Sequence, residues 1–386
     1  MTGGLLLLDA RGIRETALNE PPGFARPTSP FASRVAYAAA HVVPRAAAEN
    51  VPGAPADLDW EATLGFRRQL WSWGLGVADA MDTAQRNMGL DWPATVELIR
   101  RSAAEARAVG GDLVVGVNTD HVADELIPLD AVVRAYLEQL EVAEDAGAGV
   151  VLMASRHLAR VAESGADYER VYREVLSRAG SPVVLHWLGE AFDANLRGYF
   201  GSRVVPEASA TVLRIIEENL PRVRGIKMSL LDEAAEIALR ARLPEGARLF
   251  TGDDFNYVGL IEGDGDRHSD ALLGAFAAVA PNASAALQAL DRGDAAEYRR
   301  ILAPTEVLAR QIFAAPTQYY KTGVAFLSWL NGHQPSFTMV GGLHAARSLT
   351  HLSEVVRLAN DAHALERPEL AAARWHGLLD LNGLPG

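Results

Sequence analysis

The residue that could do the most demanding chemistry in this sequence is a lysine. Lys227 lies in the short apolar stretch Val223-Arg224-Gly225-Ile226-Lys227-Met228-Ser229. An ammonium group on a buried strand is costly unless it has a partner or a task. Desolvation favours the neutral amine, and a neutral amine can attack a ketone or aldehyde to form an iminium. The iminium draws electrons from the neighbouring carbon, which is the requirement for making or breaking a carbon–carbon bond there. The plainer alternative is a lysine that caps its strand or pairs with Asp253. Other polar residues fall where apolar runs end: His41, Asp79, Asp82 and Thr83, Asn118 with Asp120 and His121, Ser155 and His157, His186, and the pair Asp253 and Asp254. His186 and His41 are the candidate proton carriers near neutral pH. Asp253 or Asp254 could orient the lysine or bind substrate hydroxyls, and Asn118 and Asp120 could bind substrate. Each has a structural alternative: a hydrogen-bonded core histidine, a Gly-Asp-Asp corner, or the cap of a following helix.

These residues can meet only if the elements before them converge. From residue 34 onward, short apolar runs alternate with longer amphipathic ones, the pattern of a parallel α/β sheet. The expected strands are Val35–Val43, Leu75–Ala80, Leu113–Val117, Gly149–Met153, Pro182–Trp187, Arg224–Met228, Ala247–Thr251 and Leu273–Val279. Eight is the count that closes a TIM (β/α)8 barrel, whose active sites form where the strands end. Helical spacing fills the intervals. Trp92–Gly110 is one example, with Asp91 as N-cap, Pro93 in the first turn and Gly110-Gly111 at its end. An open doubly wound sheet would carry a Gly-rich phosphate loop after its first strand, whereas here that strand runs into His41-Val42-Val43-Pro44. The expected organisation is an irregular or hairpin lead-in over residues 1–33, a barrel over 34–282, and a helical region over 283–386 packed on the barrel.

Composition narrows the function further. Of the 386 residues, 49% are hydrophobic and 22% charged, enough apolar material for a large core. The net charge of −13 argues against a nucleic-acid-binding surface. With no cysteine, thiolate catalysis and disulfides are excluded. The apolar run Leu5–Leu8 is too short for a secretory signal, and no segment reaches the length of a membrane span. A cytoplasmic location with neither membrane nor nucleic acid as partner is expected.

The order of these motifs resembles the dihydrodipicolinate synthase and N-acetylneuraminate lyase family of class I aldolases. Gly225-Ile226-Lys227 is similar to the family's sixth-strand Schiff-base motif, and Thr251-Gly252-Asp253-Asp254 to its seventh-strand Gly-Asp-Asp, with 26 positions between Lys227 and Asp253. Pro182-Val183-Val184-Leu185 looks like its fifth strand and Gly147-Ala148-Gly149 to Leu152-Met153 like its fourth. Ala80-Met81-Asp82-Thr83-Ala84-Gln85 stands in the place of its Gly-Thr-Thr-Gly loop. The resemblance covers roughly residues 34 to 330. It implies a barrel, a Schiff base on Lys227, no cofactor and no metal, and a homo-oligomer, dimer or tetramer. Two departures stand out. His186 occupies the position of the family's proton-relaying tyrosine, and only Thr83 matches the hydroxyl pair that holds a substrate carboxylate. Asp82 beside it would repel a carboxylate, which favours a polyol or sugar-like ketone over a pyruvate-type donor.

The resulting expectation is a Schiff-base lyase acting on a small-molecule carbonyl compound, a keto acid or sugar-like substrate. Lys227, His186 and Asp253 would be catalytic, and Thr83, Asp82, Asn118, Asp120, His41 and Asp254 would bind substrate. The alternative is a metal-dependent barrel isomerase or class II type aldolase, with His41, Asp82, Asp120, His186 and Asp253 as ligands.

Overall fold

The computed structural model describes residues 4–21, 23–81 and 85–384. The chain opens with an antiparallel hairpin, β1 (Leu5–Asp9) and β2 (Gly12–Thr16). Leu5 and Leu7 are buried, and the hairpin is tied to the C-terminal helices by the Trp375 indole, which donates to the Leu6 carbonyl at 2.7 Å.

Eight parallel strands then close into a barrel: β3 (Ala36–Ala39), β4 (Gly76–Asp79), β5 (Leu113–Val117), β6 (Gly149–Leu152), β7 (Val183–Leu188), β8 (Val223–Ser229), β9 (Arg248–Thr251) and β10 (Asp270–Leu273), with β10 pairing back to β3. The TIM-barrel expectation is met. The helix of residues Trp92–Val109 is capped by the Asp91 carboxylate, which accepts from the Ala94 N–H. The last barrel strand differs from its expected place. It ends at Leu273, and Ala275–Ala277 form a short 3-10 turn instead of continuing it. The chain leaves the sheet at Gly274, where the rings of Tyr320 and Phe313 fill the space that a Cβ would take, at 2.6 and 2.8 Å. The following apolar run belongs to the helix Ala280–Asp291, which opens with Pro281 in its first turn. Beyond it lie helices Ala295–Ile312, Tyr320–Leu330, Leu349–Asp361 and Pro368–Leu381. Among the described residues, no helix is long and apolar enough to cross a membrane.

The barrel interior is filled by Tyr37, Ala39, Ala78, Val114, Val151, Val184, Phe250 and Leu272, a packed layer rather than a channel. One irregularity in this layer decides where Lys227 points. Strand residues alternate between faces, so Arg224 and Lys227, three positions apart, should face opposite sides. The β7–β8 register, however, slips by one residue between Val183 and Val184. This bulge sits at Gly225, whose missing Cβ would lie 2.2 Å from the Arg248 carbonyl oxygen. Arg224 therefore lies inside the bottom of the barrel, 5.7 Å from the Tyr37 ring centre and donating to its hydroxyl at 2.9 Å. Past the bulge, Lys227 pairs in register with His186 on one side and Phe250 on the other, facing the barrel mouth.

A methyl group at Gly225 has nowhere to go without moving the β9 backbone. Gly225→Ala is expected to lower the stability of the chain by about 1–3 kcal/mol, as overpacking does in other cores. Urea unfolding of the two proteins measures it, and an unchanged midpoint would show that the bulge is not needed.

Candidate active site

Lys227 is 8% exposed, so its side chain is nearly buried but reaches the surface of the mouth. Room for it comes from Gly252, where a Cβ would meet the Lys227 Cε at 2.7 Å and the Ser229 Oγ at 2.1 Å. His186 is fully buried beside it, with Nε2 at 3.2 Å from the Ser229 hydroxyl. Burial first, and then the nearby Lys227 charge, hold this imidazole well below its ordinary pKa, so it is neutral near pH 7. Ser229, two residues beyond the lysine, joins the histidine to the same strand and was not among the expected site residues.

The two aspartates that follow β9 have different surroundings. Asp253 accepts from the backbone N–H groups of Phe255 and Asn256 and from the Asn256 amide, an arrangement that shapes the corner leading into the helix Tyr257–Glu262. Of the two, Asp254 is the one that feels the Lys227 charge. It is 3% exposed and accepts from the Ala275 N–H at 2.7 Å. Burial pushes it up to about 7, against the opposing effects of that N–H and of Lys227.

A second amine completes the mouth. Lys321, in the first turn of the helix Tyr320–Leu330, is 2% exposed and donates to the Ala39 carbonyl at the end of β3. Its charge is felt by Asp254, and Lys227 acts on it in turn. Lys321 was not among the residues expected at the site. A count of residue types would have singled it out, because 34 of the chain's 36 basic residues are arginine and its two lysines are Lys227 and Lys321. Both of the chain's only amine side chains thus lie in the barrel mouth.

The remaining expected residues are distributed around this centre. Asp82 and Thr83 lie outside the described residues. His41 is fully buried above β3, with Nε2 at 2.6 Å from the Gln334 side-chain oxygen and its ring 4.7 Å from that of Phe66; burial draws it down to about 3. Asp79 turns away from the barrel and is clamped by Arg67, both fully buried, with Ser102 donating to it as well. Asn118 is buried and bridges to the Ala154 carbonyl at 3.3 Å; with Asp120 and His157 it lines a cleft of about 140 Å³ at the ends of β5 and β6. His157 is held by the Thr119 hydroxyl at 2.7 Å and His121 by Glu138 at 2.8 Å. Among the described residues, no three His, Asp or Glu side chains converge as chelation of a metal ion would require.

A protein-family model described as "Protein of unknown function (DUF993)" matches residues 6–384. No curated protein matches the chain. Among solved structures, dihydrodipicolinate synthase from Thermotoga maritima is similar, with a TM-score of 0.62 and 16% identity over 86% of this chain and 100% of that one. The enzyme from Bacillus anthracis gives 0.62 and 14% over 85% and 98%. That from Aquifex aeolicus gives 0.60 and 13% over 91% and 99%. At these identities the likeness is one of fold, and it is the likeness that the motif order implied.

The wall of the mouth beside β5 depends on Arg86, another residue the sequence did not point to. It is 1% exposed, forks onto both oxygens of Asp120, and donates to Gln139 at 2.7 Å and to the Gly116 carbonyl at 2.8 Å. Burial works against the Asp120 charge, but the guanidinium outweighs it and holds the carboxyl below the usual range. Arg86→Met would leave that carboxylate without its cation in a nearly buried site, with the Gln139 amide still donating to it at 2.9 Å, at a cost of about 3 kcal/mol or more. Denaturant unfolding reads the loss, and a cost below about 1 kcal/mol would show that the pair is dispensable.

Proposed function

The chain belongs to the DUF993 family, and from that premise and the geometry of its barrel mouth we propose that it is a carbon–carbon lyase or aldolase working through a Schiff base on Lys227. The observation that carries this reading is the placement of Lys227. It is an amine at the end of the sixth barrel strand, nearly buried, turned inward by the Gly225 bulge and set beside His186 and Asp254. The shared fold with dihydrodipicolinate synthases supports it, since a barrel of this kind offers its strand ends to the substrate.

In this reading the Lys227 amine adds to the substrate carbonyl, and the resulting carbinolamine loses water to leave an iminium. As a neighbouring base takes the proton of the hydroxyl on the departing carbon, the iminium accepts the electron pair of the carbon–carbon bond that breaks, giving an enamine and releasing that carbon as a carbonyl product. A proton delivered to the enamine carbon, followed by hydrolysis, frees the second product and restores the amine. Neutral His186, linked to Ser229, is the proton carrier next to the lysine. Of the two aspartates expected to orient the lysine, Asp254 takes that role, because the Asp253 oxygens are engaged in the corner. Asn118 and Asp120 stand at the side of the mouth where a polar substrate would extend, with His41 over β3. In the sequence, acidic Asp82 precedes Thr83, the residue that matches the hydroxyl pair of the resembled family, and this favours a hydroxylated, sugar-like carbonyl compound over a keto acid.

Borohydride reduction in the presence of pyruvate or a small hydroxyketone tests the proposal. A stable mass adduct on the Lys227 peptide is expected with at least one of them, undiminished by EDTA and absent from Lys227→Met. Turnover in that variant should fall by on the order of a thousandfold or more. Absence of any adduct across a panel of keto acids and hydroxyketones, combined with inactivation by EDTA, would overturn the reading.

A further inference from the structure

We propose that the cleft between the C-terminal helices is a binding site for an organic acid: a carboxylate on an aromatic or alkyl body, with its charge held by Arg347 and Arg374 and its body by the apolar wall around Trp329. The site lies apart from the barrel mouth, and the proposal does not depend on the role of Lys227.

The cleft has a volume of about 760 Å³ and lies between the end of the helix Tyr320–Leu330 and the last two helices, Leu349–Asp361 and Pro368–Leu381. A cavity of that size takes an organic molecule rather than a bare ion. Trp329, Phe337, Leu349, Leu352, Leu378 and Leu381 form its apolar wall. The rings of Trp329 and Phe337 stack with centres 5.8 Å apart and planes at 21°, which presents a flat aromatic surface. Leu381, 82% exposed, carries the wall out to solvent. Lys321 of the mouth and Trp329 of the cleft stand on the same helix, about 12 Å apart along its axis.

Charge selects the ligand. Acidic residues outnumber basic ones in the chain by 49 to 36, yet among the described residues the cleft is lined by two arginines and by no aspartate or glutamate. Arg347 donates from Nη2 to the carbonyls of Ile312, Ala314 and Pro316, and its buried Nε has no partner among the described residues. Arg374 donates from Nη1 to the carbonyls of Trp329 and Gln334 and lies 5.5 Å from the centre of the Trp329 ring. Carbonyl dipoles hold a guanidinium in place but leave its charge uncancelled. Burial disfavours that charge on both arginines, and no described carboxylate opposes it on either. Two such cations beside an apolar wall are matched by an anion that brings an apolar body of its own.

Gly377 gives the cleft part of its depth. It stands inside the helix Pro368–Leu381, where glycine is less favourable than alanine. A Cβ built there meets nothing within 4 Å, so packing does not exclude a side chain. The space that a side chain would take is left open in the lining of the cleft.

Calorimetric titration of the full chain with naphthylacetate and its neutral amide, which share a body and differ in charge, tests the proposal; octanoate and octanamide do the same for an alkyl body. At least one acid should bind a single site about tenfold or more tightly than its amide. Arg374→Gln should remove about tenfold of the acid's affinity and leave that of the amide unchanged. Gly377→Phe, whose ring would occupy the cleft, should abolish the binding of both. Leu381→Glu, at a position 82% exposed, should weaken the acid alone by about threefold. Failure of both acids to bind at millimolar concentration, equal affinities for acid and amide, or undiminished binding in Gly377→Phe would overturn the proposal. Should Arg374→Gln or Gly377→Phe fail to fold, Leu381→Glu decides: weakening of the acid alone supports the site, and no change overturns it. Sedimentation tests the competing occupant: a wild-type dimer that Leu381→Glu dissociates would show the cleft covered by a second copy of the chain, which also overturns the proposal.

Discussion

An amine placed in a barrel mouth among apolar side chains is stable only if its charge is managed, and the rest of this structure follows from that requirement. Water cannot solvate Lys227 fully at 8% exposure. The neighbouring groups must therefore decide its protonation. His186 is neutral, Asp254 is pushed toward neutrality, and Lys321 is the second amine of the mouth. One layer outward, the Arg67–Asp79 pair is thoroughly compensated: the guanidinium forks onto the carboxylate and also binds two carbonyls. That outer pair holds the helices to the strand ends. In the inner set, burial shifts His186, Asp254 and Lys321 toward their neutral forms.

Backbone geometry has the same purpose. Glycines clear the space the site needs at three successive strands. Gly225 lets β8 slip by a residue so that Arg224 plugs the barrel floor while Lys227 faces its mouth, Gly252 makes room for the lysine stem, and Gly274 admits the Tyr320 ring. Each is a place where the absence of a Cβ, rather than turn formation, is what matters. The C-terminal helices, which a bare barrel would not need, cover the mouth and deliver Lys321.

Much of this was legible in the sequence, and the parts that were not share a physical cause. Alternating apolar runs and caps such as Asp91 located the strands and helices because those signals are local. The placement of Lys227 at a strand end followed from the same pattern. The bulge was invisible, since periodicity assigns Arg224 and Lys227 to opposite faces and only the pairing with β7 reveals the slip. The eighth strand was set too late because an alanine-rich apolar run reads equally as strand or buried helix. Which of Asp253 and Asp254 meets the lysine depends on a corner whose donors, Phe255 and Asn256, also lie in the chain's own turn. Lys321 belonged to a distant helix, and the one clue to it, the scarcity of lysine, is a property of the whole chain rather than of any window.

The same scarcity makes the central claim directly measurable. Labelling the chain with 15N-lysine places two side-chain signals in the spectrum, and a Lys227→Arg variant assigns them. The account predicts that the Lys227 Nζ titrates well below the ordinary lysine value of about 10.4, with a substantial neutral fraction close to pH 7. A Lys227 signal that remains that of an ammonium up to pH 10 would contradict it, because such an amine could not capture a carbonyl group at neutral pH.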